Sequence, residues 1–230
     1  MSNPVIIIVG AGPGVGAATA RRFAAAGYDI GLIARNAARL EAFAGELERD
    51  GARVGWAAVD IADEDALTAA LGRITDRTER VDVLLHNAST YRASKPSELS
   101  AAALLQDLAV GTGSLLTAVR AVLPRMRAQR TGTVLATGGG TADAPSAAAP
   151  SLGAQKSALR SLVQVLATEL GPEGIHVATL NVRGNIRPGS PFAPEAIAEI
   201  YAGLVEETAS APENWRTGLD LTAEGIRPAG

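Results

Sequence analysis

The residues at positions 10–17, GAGPGVGA, place glycines at a spacing that suits the binding of a phosphate group. They fit the pattern G-x-G-x-x-A through Gly12, Gly14 and Ala17, or the pattern G-x-x-x-G-x-G through Gly10, Gly14 and Gly16. In either reading the glycines permit a tight turn close to a pyrophosphate, and the following helix directs its N–H groups there. A tight turn without a ligand is the alternative interpretation. The apolar strand before the loop and the helix after it favour dinucleotide binding.

The residues at the end of the second predicted strand indicate whether the dinucleotide is NAD(H) or NADP(H). Sites for NAD place an acid there for the ribose 2′-hydroxyl, whereas this chain has Ala34 followed by Arg35. No carboxylate at this position repels a 2′-phosphate, and the Arg35 guanidinium can pair with one. A solvated arginine at the start of a loop is the alternative. We predict NADP(H) as the cofactor.

Lys156 lies in the segment PSLGAQKSAL, residues 150–159, near the start of a predicted helix. One helical turn earlier, where a paired proton donor could stand, the chain has the apolar residue Leu152. Side chains four residues apart share one face of a helix. The lysine therefore has no group to activate at this position, and its role has to be explained in another way.

Short apolar runs alternate with longer helical patterns along the whole chain, which predicts one α/β domain over residues 1–230. This alternation implies a parallel sheet with helices on both faces. Together with the dinucleotide-binding loop after the first strand, it leads us to expect a Rossmann-like, doubly wound sheet in the order 3-2-1-4-5-6-7. The predicted strands are Val5–Val9, Ile30–Ile33, Arg53–Val59, Val81–Leu85, Thr133–Thr137, Ile175–Val182 and Leu219–Leu221. The predicted helices cover about 16–26, 36–50, a segment after Asp63, 100–126, 152–170 and 194–207.

Composition limits the other function classes. The chain has 230 residues, 47% apolar and 20% charged, enough to bury the core of one domain. Its net charge of −3 gives no broad attraction to nucleic acid or to an anionic membrane, so we expect neither as a partner. The lack of cysteine excludes thiolate metal sites, and no other metal-ligand spacing is present. The first ten residues have no basic segment and only a short apolar run, so we expect a cytoplasmic protein.

Several motifs together resemble the short-chain dehydrogenase/reductase family over nearly the whole chain. They are VGAGPGVG after the first strand, VDIAD after the third, LLHNAS after the fourth, LPRM at 123–126, AQKSAL around the lysine and HVATLNVRGNI at the sixth strand. LLHNAS departs from the family's N-N-A-G at His86 and Ser89, and Arg183 replaces a proline. The tail, PEAIAEIY followed by WRTGLDL, resembles a divergent branch that also lacks the usual tyrosine. The resemblance implies a nicotinamide cofactor and an oxidoreductase activity.

The resemblance also implies roles for individual positions. In the family a serine and a tyrosine hold the substrate carbonyl, the tyrosine passes the proton, and an asparagine holds a relay water. These positions fall on Gly139, Leu152 and Gly111, so only the lysine, Lys156, matches. In the family this lysine also binds the nicotinamide ribose, a role that needs no tyrosine, and we predict that role here. A lysine stem lying along the surface is the alternative. Gly111 and Gly113 are expected to keep the family's local helix kink without its amide.

The predicted cofactor contacts combine the loop, the end of the second strand and the resemblance, in which Asp60 matches the acid that contacts the adenine. They are Gly10, Gly12, Gly14, Val15, Gly16, Arg35, Asn36, Asp60, Ile61, Asn87, Ala88, Lys156, Gly184 and Ile186.

A few polar residues are candidates for a substitute proton donor. Thr137 and Thr141 flank Gly139, and either hydroxyl could orient a carbonyl, although such hydroxyls more often bond to backbone. His86 ends the fourth strand at the edge where ligands bind in such sheets, and its pKa range suits proton transfer, with packing as the alternative role. Tyr91 in the following loop is a further alternative.

Two function classes remain. The first, which we favour, is an NADP(H)-dependent oxidoreductase with altered proton chemistry. It would use a substitute donor or act on an already activated electrophile such as an iminium or an enone. The second is an NADP(H)-binding pseudoenzyme that acts as a sensor or as a partner subunit. Alanine and leucine stripes on the helices at 100–126 and 152–170 predict a homodimer or homotetramer. The sequence does not name a substrate.

Overall fold

The computed structural model describes residues 2–229. The strands are β1 Val5–Val9, β2 Asp29–Ala34, β3 Val54–Ala58, β4 Val83–His86, β5 Gly132–Gly139, β6 Ile175–Val182, β7 Gly218–Thr222 and β8 Gly225–Pro228. The α-helices are α1 Val15–Ala25, α2 Ala37–Arg49, α3 Glu64–Thr75, α4 Ala101–Leu108, α5 Ser114–Gln129, α6 Pro150–Leu170 and α7 Pro194–Glu207. The predicted caps are confirmed, because Asn36 and Asp63 each accept a backbone N–H three residues on, at 2.9 Å.

The sheet has the order β3-β2-β1-β4-β5-β6-β7-β8. Strands β1 to β7 pair in parallel, which confirms the predicted order. The prediction of seven strands was incomplete, since β8 adds an antiparallel edge strand. It returns through a two-residue turn that needs Gly225 at a φ of 125°. The segment GIRP has one apolar side chain and no alternation, so no strand pattern marked it.

Both faces of the sheet are covered, which explains the continuous apolar run of β1. Side chains from α3, α5 and α6 pack on one face, and side chains from α1, α2 and α7 pack on the other. The helical stretch Ala101–Gln129 is long and apolar enough to cross a membrane by length and composition alone. Its inward residues Leu115, Val119 and Met126 belong to the hydrophobic core.

That stretch differs from the single helix predicted at about 100–126. A π-helical segment, Ala109–Gly113, separates α4 from α5. The irregularity includes Gly111 and Gly113, as the sequence indicated. It widens the helix at the point where α6 packs against it.

Candidate functional site

The glycine loop joins β1 to α1 at the carboxyl edge of the sheet. Gly10 has a φ of 92°, and a Cβ there would lie 2.7 Å from Ala88 N. A Cβ at Gly16 would lie 2.8 Å from Gly10 O, so both glycines are needed for the loop to fold back on itself. Gly12 and Gly14 instead face open space, and no side chain caps the first turn of α1 at Gly14. The loop therefore presents uncapped backbone N–H groups, including that of Val15, where a pyrophosphate would fit.

The ends of β2 and β3 form the adjoining part of the site. Arg35 is exposed, and no carboxylate within residues 2–229 forms an ion pair with it. Asn36 uses its Oδ1 to cap α2 and keeps its amide nitrogen available. Asp60 is exposed, and one carboxylate oxygen accepts Ala62 N at 3.1 Å. The side chain of Ile61 is buried in the core, so only its backbone is in a position to contact a ligand.

Asn87 connects the glycine loop to the neighbouring strand. Its Nδ2 donates to Gly10 O at 3.0 Å, and its Oδ1 accepts the Thr137 hydroxyl at 2.8 Å. The Thr137 hydroxyl also lies 2.7 Å from the hydroxyl of Tyr201, a fully buried residue of α7. Thr137 is therefore engaged inside the protein, and its geometry favours a structural role over the orientation of a carbonyl.

Lys156 is buried at the start of α6, with 7% of its surface exposed. Its Nζ donates to Thr137 O at 2.7 Å, and no carboxylate among residues 2–229 pairs with it. Burial lowers the pKa of Lys156 to about 8, because an ammonium loses solvation in the interior. The Lys156 ammonium therefore lies at the carboxyl end of β5, and its pKa is close to neutral pH.

Gly139 lies directly against this lysine. A Cβ at Gly139 would meet Lys156 Cγ at 3.6 Å and Cδ and Cε at 3.8 Å, all ordinary contacts. Leu152 is half-buried one helical turn before the lysine. Of the two candidate threonines, Thr141 is half-buried on the 3₁₀ turn that follows Gly139. Lys156 therefore places a titratable side chain against the Gly139 position.

His86 ends β4 but is fully buried. Its Nε2 lies 2.7 Å from the Ser114 hydroxyl, which in turn donates to Val110 O at 2.7 Å. Burial, and then the charge of Lys156, lower the pKa of His86 to about 3. A neutral and enclosed imidazole at physiological pH favours the packing role for His86. Tyr91 is 69% exposed in the following loop.

Gln155 fills the space beside Gly111. A Cβ at Gly111 would lie 2.1 Å from Gln155 Oε1. The same amide accepts Thr90 N and donates to Thr90 O, both at 3.0 Å, so it fixes the loop after β4. Arg92 strengthens this attachment through two bonds to the buried carboxylate of Asp107, at 2.8 and 2.9 Å. Gly111 was recognised from the sequence, but its contact with Gln155 was not predicted, because no local pattern connects residues 44 positions apart.

The loop after β6 completes the carboxyl edge. Gly184 and Ile186 are exposed, and the ring of Phe192 lies where a Cβ at Gly184 would be, with the nearest atom at 2.1 Å. Phe192 was not among the predicted site residues, since an isolated aromatic residue carries no motif. Among residues 2–229, no three histidine or acidic side chains come close enough to hold a metal ion.

Comparison with known proteins identifies the family of the chain. Residues 4–185 match the family model described as short chain dehydrogenase. The chain is 33% identical over 206 residues to the (2S)-[(R)-hydroxy(phenyl)methyl]succinyl-CoA dehydrogenase subunit BbsC of Thauera aromatica, a match that covers 88% of this chain and 79% of that protein. It is also 30% identical over 185 residues to a short chain dehydrogenase of Pseudocercospora fijiensis, a match covering 79% of this chain and 59% of that protein. The chain belongs to the short-chain dehydrogenase family.

Solved structures share the fold. A metagenomic short-chain oxidoreductase in complex with NADP has a TM-score of 0.83 at 26% identity, covering 96% of this chain and 98% of that chain. An alcohol dehydrogenase from Thermococcus sibiricus, complexed with 5-hydroxy-NADP, has a TM-score of 0.83 at 25% identity over the whole of both chains.

Proposed function

We propose that this protein is an NADP(H)-dependent oxidoreductase whose proton chemistry depends on Lys156. Family membership supports the reaction class, and the NADP complexes of two similar structures support the cofactor. Arg35, free of a carboxylate partner in the described chain, supports recognition of the 2′-phosphate. The open space at Gly12 and Gly14 leaves room for the pyrophosphate.

The observation that carries the proposal is the contact between Lys156 and the Gly139 position. When bound, the nicotinamide supplies or accepts a hydride at this edge of the sheet. The Lys156 ammonium donates to the ribose hydroxyls, as the family resemblance implies, and has a pKa of about 8. An amine with a pKa near 7 to 8 is suited to general acid catalysis, which typically contributes about 10²–10⁴-fold. No hydroxyl is present at residue 139 or 152.

The substrate class follows from this limited proton supply. Orientation of a hydride donor contributes more than general acid catalysis does, so a missing hydroxyl slows ketone reduction without preventing hydride transfer. An iminium or an enone needs less help from an acid than a ketone does. We therefore infer that activated electrophiles are the preferred substrates.

The pseudoenzyme remains the second candidate because of one observation. Gln155 fills the space that the relay asparagine would need, so the proton relay of the family has no place here. One similar protein is named as a dehydrogenase subunit, which supports the idea of a partner subunit.

Turnover distinguishes the two candidates. We expect the wild-type protein to consume NADPH with imines or enones faster than with matched ketones. Lys156→Ala should weaken NADPH binding, by about 1.5–3 kcal/mol for a charged hydrogen bond, whether or not turnover occurs. Tight NADPH binding with no turnover across the panel would favour the pseudoenzyme. Brisk ketone reduction by the wild type would contradict the proposed proton chemistry.

We further propose a homodimer or homotetramer formed through α4, α5 and α6. Leu105, Leu116 and Val165 on these helices are 65%, 39% and 59% exposed. Exposed apolar side chains on neighbouring helices fit an interface between copies of the chain. Light scattering should show an oligomer that Leu116→Lys combined with Val165→Lys dissociates, whereas Trp56→Lys on β3 should not. A wild-type monomer at micromolar concentration would contradict this assembly.

A further inference from the structure

Two arginines from different elements meet on one exposed carboxylate beside the candidate site. Asp143 follows the 3₁₀ turn after β5. Its Oδ1 accepts a hydrogen bond from Nη1 of Arg160 on α6. Its Oδ2 accepts a hydrogen bond, at 2.5 Å, from Nη2 of Arg183, the residue that follows β6. Each carboxylate oxygen therefore has its own guanidinium, and the two guanidiniums hold the pKa of Asp143 below its usual range. Two converging guanidiniums form a fixed receptor for one carboxylate.

The two partners of Arg183 differ in how firmly they are held. Asp220 on β7 is 2% exposed, and its Oδ2 lies 2.6 Å from Arg183 Nε. This contact is a close ion pair with a buried carboxylate. Asn181 also donates to Asp220, at 3.2 Å. Asp220 thus anchors Arg183 from the interior, whereas Asp143 reaches it from a loop whose residues 143–148 are all exposed. An exposed ion pair such as the one between Asp143 and Arg183 contributes little to stability, so another carboxylate can readily replace Asp143.

The position of this pair relates it to the lysine. Gly139 contacts the Lys156 side chain, and the next residue, Gly140, contacts Arg183, whose Cα and Cγ lie 3.4 and 3.5 Å from the position of a Cβ at Gly140. The two cationic side chains therefore flank consecutive glycines at the end of β5. On α6, Lys156 and Arg160 are four residues apart and share one helix face, so the arginine pair lies beside the lysine.

We propose that Arg160 and Arg183 form a subsite for a substrate carboxylate, and that Asp143 occupies this subsite until the substrate displaces it. The proposal rests on the proposed function, because it assumes that the substrate reacts beside Lys156. It commits to a carboxylate because the side chain that already fits the two guanidiniums is one. The substrate class is then an iminium or enone compound that bears a carboxylate, and oxo acids are stable probes that present the same carboxylate.

Binding, measured separately from turnover, tests the subsite. Calorimetry with NADP⁺ present would compare 2-, 3- and 4-oxo acids with their methyl esters. Oxo acids should bind more tightly than the esters. Asp143→Asn should tighten oxo-acid binding about two- to fivefold, the range expected for loss of a competing exposed ion pair. Arg183→Gln should weaken it about tenfold or more. Ester binding should not change in any variant.

The control is Asp76→Asn, which removes an exposed aspartate paired with Arg125 at 3.3 Å, at the end of α3. It should leave oxo-acid binding unchanged. If Asp143→Asn does not fold, Arg160→Gln removes half of the subsite without touching the anchor at Asp220, and should still weaken oxo-acid binding. Equal binding of acids and esters, or no gain in Asp143→Asn, would overturn the proposal. A preference for acids, with no NADPH consumption by any imine or enone, would support the subsite and contradict the proposed function.

Discussion

The Gln155 side chain occupies the volume that any side chain at Gly111 would need. The Gln155 Oε1 atom is 2.1 Å, and its Cγ and Cδ atoms are 2.8 Å, from the position of a Cβ at Gly111. The Gln155 side-chain amide forms hydrogen bonds with both the backbone N–H and the backbone C=O of Thr90. The glycine in the π-helical segment and the glutamine on α6 therefore act as a pair. One creates the space, and the other uses it to hold the loop after β4.

This pairing predicts a coupling between the two residues. Gly111→Ala should destabilise the protein by about 1–3 kcal/mol, the usual cost of overpacking. The cost should disappear in a Gln155→Ala background, where the space is free. Gly113→Ala is the matched control, since only Leu108 O lies within 4 Å of its Cβ position, at 3.9 Å. Gly113→Ala should leave the free energy of unfolding unchanged or raise it by up to about 1 kcal/mol, because alanine has the higher helix propensity. Urea unfolding measures all four variants, and equal costs at Gly111 and Gly113 would refute the coupling.

Restoring the family's two hydroxyls should raise ketone reduction. Leu152→Tyr places a phenol on the same helix face as Lys156, whose ammonium favours the phenolate. Gly139→Ser fits because its Cβ contacts Lys156 at an ordinary 3.6 Å. We expect NADPH consumption with ketones to rise at least about tenfold over a Leu152→Phe, Gly139→Ser variant, within the usual range of general acid catalysis.

The neighbouring glycine gives a structural control for this experiment. A Cβ at Gly138 would lie 2.1 Å from Asn181 Oδ1, so Gly138→Ser should destabilise the protein where Gly139→Ser does not. Thermal unfolding would compare the two serine variants. If the phenylalanine and tyrosine double variants reduced ketones equally well, the missing proton donor would not be the main defect.

The buried Lys156 should make stability depend on pH. Its pKa falls from 10.5 to about 8 on folding, so the unfolded chain binds more protons between these two pH values. Stability should therefore rise with pH across this window, because the folded state no longer buries a charge. Relative to Lys156→Met, which has no such proton, the free energy of unfolding of the wild type should rise by about 3 kcal/mol from pH 8 to pH 10.5. Parallel pH profiles of the two proteins would show that the lysine is not desolvated.

Arg35 should decide the choice of cofactor. Arg35→Asp removes the partner of a 2′-phosphate and adds a carboxylate that can bind a 2′-hydroxyl. NADPH affinity should fall by about 10- to 150-fold, the equivalent of one charged hydrogen bond of 1.5–3 kcal/mol, while NADH affinity rises. Arg49→Asp makes the same change of charge at the other end of α2 and should alter neither affinity. Calorimetry with both cofactors measures the outcome, and tighter binding of NADH by the wild type would contradict the NADP(H) assignment.

Several features of this protein could be predicted from local sequence patterns alone. Unbroken apolar runs such as Val5–Val9 marked buried parallel strands, the caps at Asn36 and Asp63 marked helix starts, and the alternation of strands with helices predicted a parallel sheet. The glycine loop and the lysine were also visible, because each depends on spacing within a few residues of one element. These features need no knowledge of distant contacts.

The contacts between side chains of distant elements could be seen only in the folded protein. Gln155 meets Gly111, Tyr201 meets Thr137, and Arg160 meets Asp143 through packing between elements far apart in the chain. Burial then changed the chemistry of residues whose type was already known. Burial brings the pKa of Lys156 close to neutral pH and lowers the pKa of His86 far below it. The size of each shift depends on how deeply the group is buried and on the charges around it, and no sequence pattern records either.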